Sequence, residues 1–83
     1  MGYRIVWDEA AVSRAARHLA DDPDGLRQLL HAVDLLAGQP RPPGAAAYGA
    51  GLRRIHVGRY RVVYEITSGA PPAVVITHVG RLE

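Results

Sequence analysis

The sequence predicts an α+β domain in the order βααβββ, a helical hairpin packed on one face of a small, largely antiparallel sheet. Three observations carry that expectation. A short β-branched and aromatic run opens the chain, two stretches with helical apolar spacing follow, and three β-branched runs separated by turn residues close it. With 83 residues and no cysteine, residues 1–83 read as one small domain without disulfide or cysteine-bound metal.

The first element is Tyr3–Trp7 (Tyr-Arg-Ile-Val-Trp), a strand by composition. Asp8 is placed to cap the following helix with its side-chain oxygen, and Glu9 adds negative charge to the first turn. Through Ala20, the residues Val12, Ala15, Ala16 and Leu19 share one helical face and are expected to pack inward. Asp22-Pro23 restarts the helix, because proline at the first helical position lacks only an N–H that would have no partner. Leu26, Leu29, Leu30, Val33, Leu36 and Ala37 form the strongest apolar stripe, read as core. Gly38 is expected to end this helix in a left-handed conformation, with Pro40 preventing its resumption.

From Gln39 to Gly51 the chain is rich in Pro, Gly and Ala, too long for a simple connector, and Tyr48 is expected to anchor it. Leu52–Val57 and Tyr60–Ile66 flank Gly58-Arg59, a two-residue link of the kind that closes a tight hairpin. Ser68–Pro72 turns the chain into a last strand, Ala73–Val79. The pairing of the first strand is left open by the sequence.

Charge is uneven. Through Pro40 there are four arginines against six acids, and from Arg41 onward six arginines against two acids. A basic C-terminal half suits a phosphate-bearing or acidic partner. Strand alternation puts Arg54 and His56 on the face opposite Ile55 and Val57, and Arg61, Val63 and Glu65 opposite Val62, Tyr64 and Ile66. If the apolar sets cover the helices, Arg54, His56 and Arg61 emerge together on the open face. Guanidinium forks match phosphate oxygens but are poor proton acceptors, with a pKa above about 12. An imidazole ordinarily titrates near about 6.5, which makes His56 the expected proton-transfer residue. His78, near the end of the last strand, reads as structural or exposed. No two histidines have metal-ligand spacing, so no metal is expected.

The run Leu52–Ile66 (Leu-Arg-Arg-Ile-His-Val-Gly-Arg-Tyr-Arg-Val-Val-Tyr-Glu-Ile) resembles the signature of the RelE/ParE toxin superfamily, and of its RelE branch in particular. Tyr-Arg-Ile-Val-Trp, the two helices, Pro-Arg-Pro-Pro-Gly and Val-Ile-Thr-His-Val-Gly-Arg follow the same family in the same order, so the resemblance spans the chain. It implies the RelE-like fold and the toxin of a type II toxin–antitoxin pair. The activity implied is a ribosome-dependent endoribonuclease that cuts mRNA in the A site by attack of a ribose 2′-OH on the adjacent phosphate, without metal or small-molecule cofactor. Carried over by position, Arg61, His56, Arg54 and Arg81 are the expected catalytic residues, and Arg53, Arg59 and Arg41 the expected RNA-binding ones. The implied partners are a cognate antitoxin, with acidic residues facing Arg53, Arg54 or Arg61, and the ribosome with its mRNA. A cytoplasmic protein without a membrane partner is expected.

Three features depart from the family pattern. Ala45-Ala46-Ala47 replaces lysines common in relatives, Leu82 stands where a second basic residue is frequent, and Glu83 ends the sequence short of a C-terminal tyrosine. The same resemblance also admits a ParE-like inhibitor of DNA gyrase, or a RelE homologue that binds RNA or antitoxin with little cleavage.

Overall fold

The alternation of the C-terminal half and the helical period of the N-terminal half come together in a computed structural model as two layers. The structure describes residues 2–47, 49 and 51–82, so the anchoring expected of Tyr48 lies outside the described residues. The elements are β1 (Arg4–Trp7), α1 (Glu9–Asp21), α2 (Pro23–Leu35), β2 (Ala46–Ala47), β3 (Leu52–Val57), β4 (Tyr60–Thr67) and β5 (Ala73–Arg81). They build a five-stranded sheet in the order β1-β5-β4-β3-β2, with both helices on one face. β1 pairs in parallel with β5, and every other pair is antiparallel. Two residues of the Pro/Gly/Ala stretch thus form a short edge strand, opposite Arg53 and Arg54.

The core lies between the layers. Leu26, Leu29, Val33 and Leu36 meet Ile55, Tyr60, Val62, Tyr64, Val74, Ile76 and Val79, and Ala11 completes it from α1. The expected inward face of α1 is therefore rotated. Ala11 is buried, whereas Val12 and Leu19 stand about half exposed, at 49% and 50%. Small Ala11 permits close helix–sheet approach, and the larger side chains are left on the flank, a choice that periodicity alone does not make. Leu30, expected in the α2 core stripe, is likewise 42% exposed.

The helix ends are also specific. Asp8 occupies the N-cap position of α1, but its side chain makes no capping bond; its backbone carbonyl instead accepts from the Val12 N–H at 3.0 Å. Asp22 is the single residue between α1 and α2, and its carboxylate accepts from the Gly25 N–H at 3.1 Å. Gly38 does not adopt a positive φ. α2 is closed by tight turns, with the N–H groups of Leu36, Ala37 and Gly38 donating to the carbonyls of Val33, Asp34 and Leu35. Gly58 does have φ +60° while Arg59 has a negative φ, the arrangement of a type II′ hairpin turn. Only glycine takes this position without strain.

β5 contains the least regular feature of the sheet. Val63 pairs with His78 and Tyr64 with Ile76, so Thr77 is an extra residue in a β-bulge. Its hydroxyl donates to the Val63 carbonyl at 3.1 Å. The bulge shifts the alternation by one. Beyond it, Val79 and Arg81 face the helices, and His78 and Gly80 face outward.

Candidate functional site

The open face of the sheet is built by β3, β4 and the far half of β5. Directly paired residues share a face, so two cross-strand rows can be read from the register. His56, Arg61 and Gly80 form one row, and Arg54, Val63 and His78 form the next. Arg54, His56 and Arg61 thus do emerge together, opposite the face that carries Ile55, Val62 and Tyr64 into the core. His56 and His78 are exposed, and Arg54 and Arg61 half-buried. Val63 is only 4% exposed although it faces outward, flanked in register by Arg54 and His78.

Arg61 is the centre of this surface. Its Nε is buried without a hydrogen-bond partner, and among the described residues no carboxylate forms an ion pair with it. Glu65 lies on the same face one row beyond Val63, opposite Leu52. A half-exposed guanidinium held in a strand, beside an imidazole and with no carboxylate paired to it among the described residues, can receive an anion.

The other expected residues are distributed elsewhere. Arg81 pairs with Tyr60 in register and therefore faces the helices. Its guanidinium donates to Asp21 at 2.7 Å and also reaches the Tyr60 hydroxyl. Tyr60 in turn donates to the Asp22 carboxylate at 2.8 Å. This chain ties the start of β4 and the end of β5 to the junction of the two helices. The Tyr60 hydrogen bond, followed by that from Gly25, holds the Asp22 carboxyl below the usual range. Burial, then the bond to Asp22, raises Tyr60, and the bond to Asp21 keeps Arg81 more firmly protonated. Arg53 faces the helix side opposite Tyr64 and, with Arg41, lines a cleft of about 270 Å³ beside Leu52 and Ile66. Arg59 is exposed at the hairpin tip. The basic residues therefore form three groups: an open-face set, a helix-side pair, and the hairpin-end residues Arg59 and Arg81.

Two surfaces were not foreseen from the sequence. The rotation of α1 leaves an apolar groove of about 290 Å³ lined by Trp7, Val12, Ala15, Ala16, Leu19, Leu26 and Leu30. His78 joins the open face through the bulge, which the nearly continuous β-branched run of Ala73–Val79 did not signal. Among the described residues, no three of His, Cys, Asp and Glu gather closely enough to hold a metal ion, and no helix is long and apolar enough to cross a membrane.

Comparison with known proteins agrees with this architecture. The family model described as the ParE toxin of the type II toxin–antitoxin system parDE matches residues 5–81. Three solved structures share the fold. A YoeB/ParE toxin from Agrobacterium tumefaciens has a TM-score of 0.81 at 14% identity, covering 96% of this chain and 98% of that one. The isolated RelE toxin of E. coli has a TM-score of 0.80 at 24% identity, covering 98% and 85%. A chain of the archaeal RelE–RelB complex from Pyrococcus horikoshii OT3 has a TM-score of 0.72 at 22% identity, covering 98% of this chain and 96% of that one. No curated protein sequence matches the chain. With the family model spanning nearly its whole length, the chain belongs to the ParE toxin family of type II toxin–antitoxin systems, and it has the fold of the RelE and YoeB/ParE toxin structures.

Proposed function

We propose that the open face binds mRNA on the ribosome and cuts it by attack of a ribose 2′-OH on the neighbouring phosphate. The observation that carries this reading is the cross-strand pair of His56 and Arg61, with Arg54 on the same face. The reaction accumulates negative charge on the phosphorane and requires a proton to leave the 2′ oxygen and another to reach the departing 5′ oxygen. Arg61, half-buried on this face and without a carboxylate partner among the described residues, takes the charge. Arg54 holds a flanking phosphate, and His56 moves a proton. Arg81 serves the site from behind, by fixing the end of the hairpin through Asp21 and Tyr60. Arg41, Arg53 and Arg59 supply longer-range attraction for the message and the ribosome.

The partner in the resting state is an antitoxin, as RelB is for RelE in the archaeal complex. An apolar helical segment fits the groove of Val12, Leu19 and Leu30, and acidic residues on its continuation pair with the basic faces. A second reading, inhibition of DNA gyrase, is favoured by the family model itself, which bears the ParE description. One experiment separates the two. The protein is incubated with programmed ribosomes and, in parallel, with gyrase and relaxed plasmid. Codon-positioned cleavage supports the nuclease, and blocked supercoiling with intact message supports the gyrase inhibitor.

A further inference from the structure

The bulge at Thr77 has a chemical consequence. Had β5 alternated regularly from Ile76, His78 would point into the helices and Thr77 outward. Instead His78 faces outward, and its Nε2 comes to 3.1 Å from the position that a Gly80 Cβ would occupy. The imidazole therefore leans along the strand and over Gly80, which has no side chain to obstruct it. Gly80 is the residue paired directly with Arg61, and His56 is paired with Arg61 from the other side. Two imidazoles consequently stand on either side of the strand that carries Arg61: His56 is paired directly with it, and His78 is rooted one row along, opposite Val63, with its ring over Gly80; neighbouring strands lie about 4.8 Å apart.

We infer that His78 is the second proton-transfer residue of this face, acting with His56 as an acid–base pair on a phosphodiester whose developing charge Arg61 receives. This rests on the nuclease reading above. In an in-line displacement the attacking and departing oxygens lie on opposite sides of phosphorus, so the base and the acid must flank the charge-stabilising group. The step balances with these residues alone. The 2′ oxygen bonds to phosphorus as the bond from phosphorus to the 5′ oxygen breaks. One neutral imidazole takes the 2′ proton, and the other, as imidazolium, gives its proton to the 5′ oxygen. The products are a 2′,3′-cyclic phosphate and a 5′-hydroxyl. The charged and titratable groups nearest His78 on this face are Arg61 on β4 with Glu65 further along the same strand, Arg54 and His56 on β3, and, on the other side, Asp8 at the end of β1. The Asp8 N–H donates to the Ile76 carbonyl two residues before His78.

The test is single-turnover cleavage of ribosome-bound message across pH by the wild type, His56→Gln and His78→Gln. Thermal melts of the free proteins confirm that these exposed positions leave the fold intact. The wild type is expected to give a bell-shaped profile. Each variant should lose about 10²-fold or more at the optimum, and each should lose a different limb. A message with sulfur bridging at the 5′ position of the cut needs no acid, because thiolate departs unaided. It should restore one variant and not the other. Unchanged cleavage by His78→Gln, a slowed rate that keeps both limbs, or sulfur rescue of both variants or neither would overturn the assignment to His78. Wild-type protein that leaves the message intact would overturn the nuclease reading and this assignment with it, an outcome visible before any variant is compared.

Discussion

Replacing Tyr64 by Phe tests how the Pro-rich segment is held against the sheet that carries the basic face. The Tyr64 ring is fully buried, and its hydroxyl donates to the Pro40 carbonyl at 2.7 Å. Phenylalanine preserves the ring and leaves that buried carbonyl without its donor, a loss of about 1–3 kcal/mol. For 83 residues the total stability is on the order of 4–12 kcal/mol, so the loss is a substantial share. Each kcal/mol shifts the melting midpoint of a domain this size by about 4–8 °C, and a fall of at least about 4 °C is expected by circular dichroism. The pH dependence supplies an internal check. Burial raises the Tyr64 pKa above its usual 10.0. The associated stability is complete below pH 10.0 and drains away as pH rises through the folded value, so the Phe variant should lose less than the wild type on the alkaline side. A midpoint within about 2 °C of wild type would refute the reasoning, by showing that the carbonyl finds another partner at no cost.

Arg61→Gln should slow cleavage by about 10²–10³-fold at unchanged melting temperature, measured in single turnover on programmed ribosomes. Asp22→Asn should flatten the acid limb of stability. The Asp22 pKa lies below its usual 3.8, so its contribution is complete above that value and lost as pH falls through the folded one, which urea midpoints across acid pH would register. Gly58→Ala places a Cβ on a backbone with φ +60° and should cost about 1–2 kcal/mol in urea unfolding.

Much of this architecture is legible in the residues, for physical reasons. Arg54–Val57 alternates basic and apolar residues, and Gly58-Arg59 supplies the turn, so the hairpin and the faces near its tip follow from a period of two. Asp22-Pro23 announces α2 because it combines a side-chain acceptor with a residue lacking an N–H. Other features depend on tertiary contacts. Val12, Ala16 and Leu19 share a helical stripe, but whether it meets the sheet depends on how closely Ala11 lets α1 approach, so the stripe lines an open groove instead. The parity of β5 turns on one inserted residue, Thr77, inside a run dominated by β-branched residues. That residue puts His78 on the basic face and Arg81 beside Asp21, where alternation alone could not place them.

The central claim is that the face of Arg54, His56 and Arg61 cuts message rather than only binding it. Its most direct test is to map the ends produced when purified protein meets ribosomes stalled on a defined codon. The account predicts cleavage within that A-site codon, leaving a 2′,3′-cyclic phosphate and a 5′-hydroxyl and slowed at least about 10²-fold in Arg61→Gln. Intact message, together with inhibition of gyrase supercoiling by the same preparation, would contradict it.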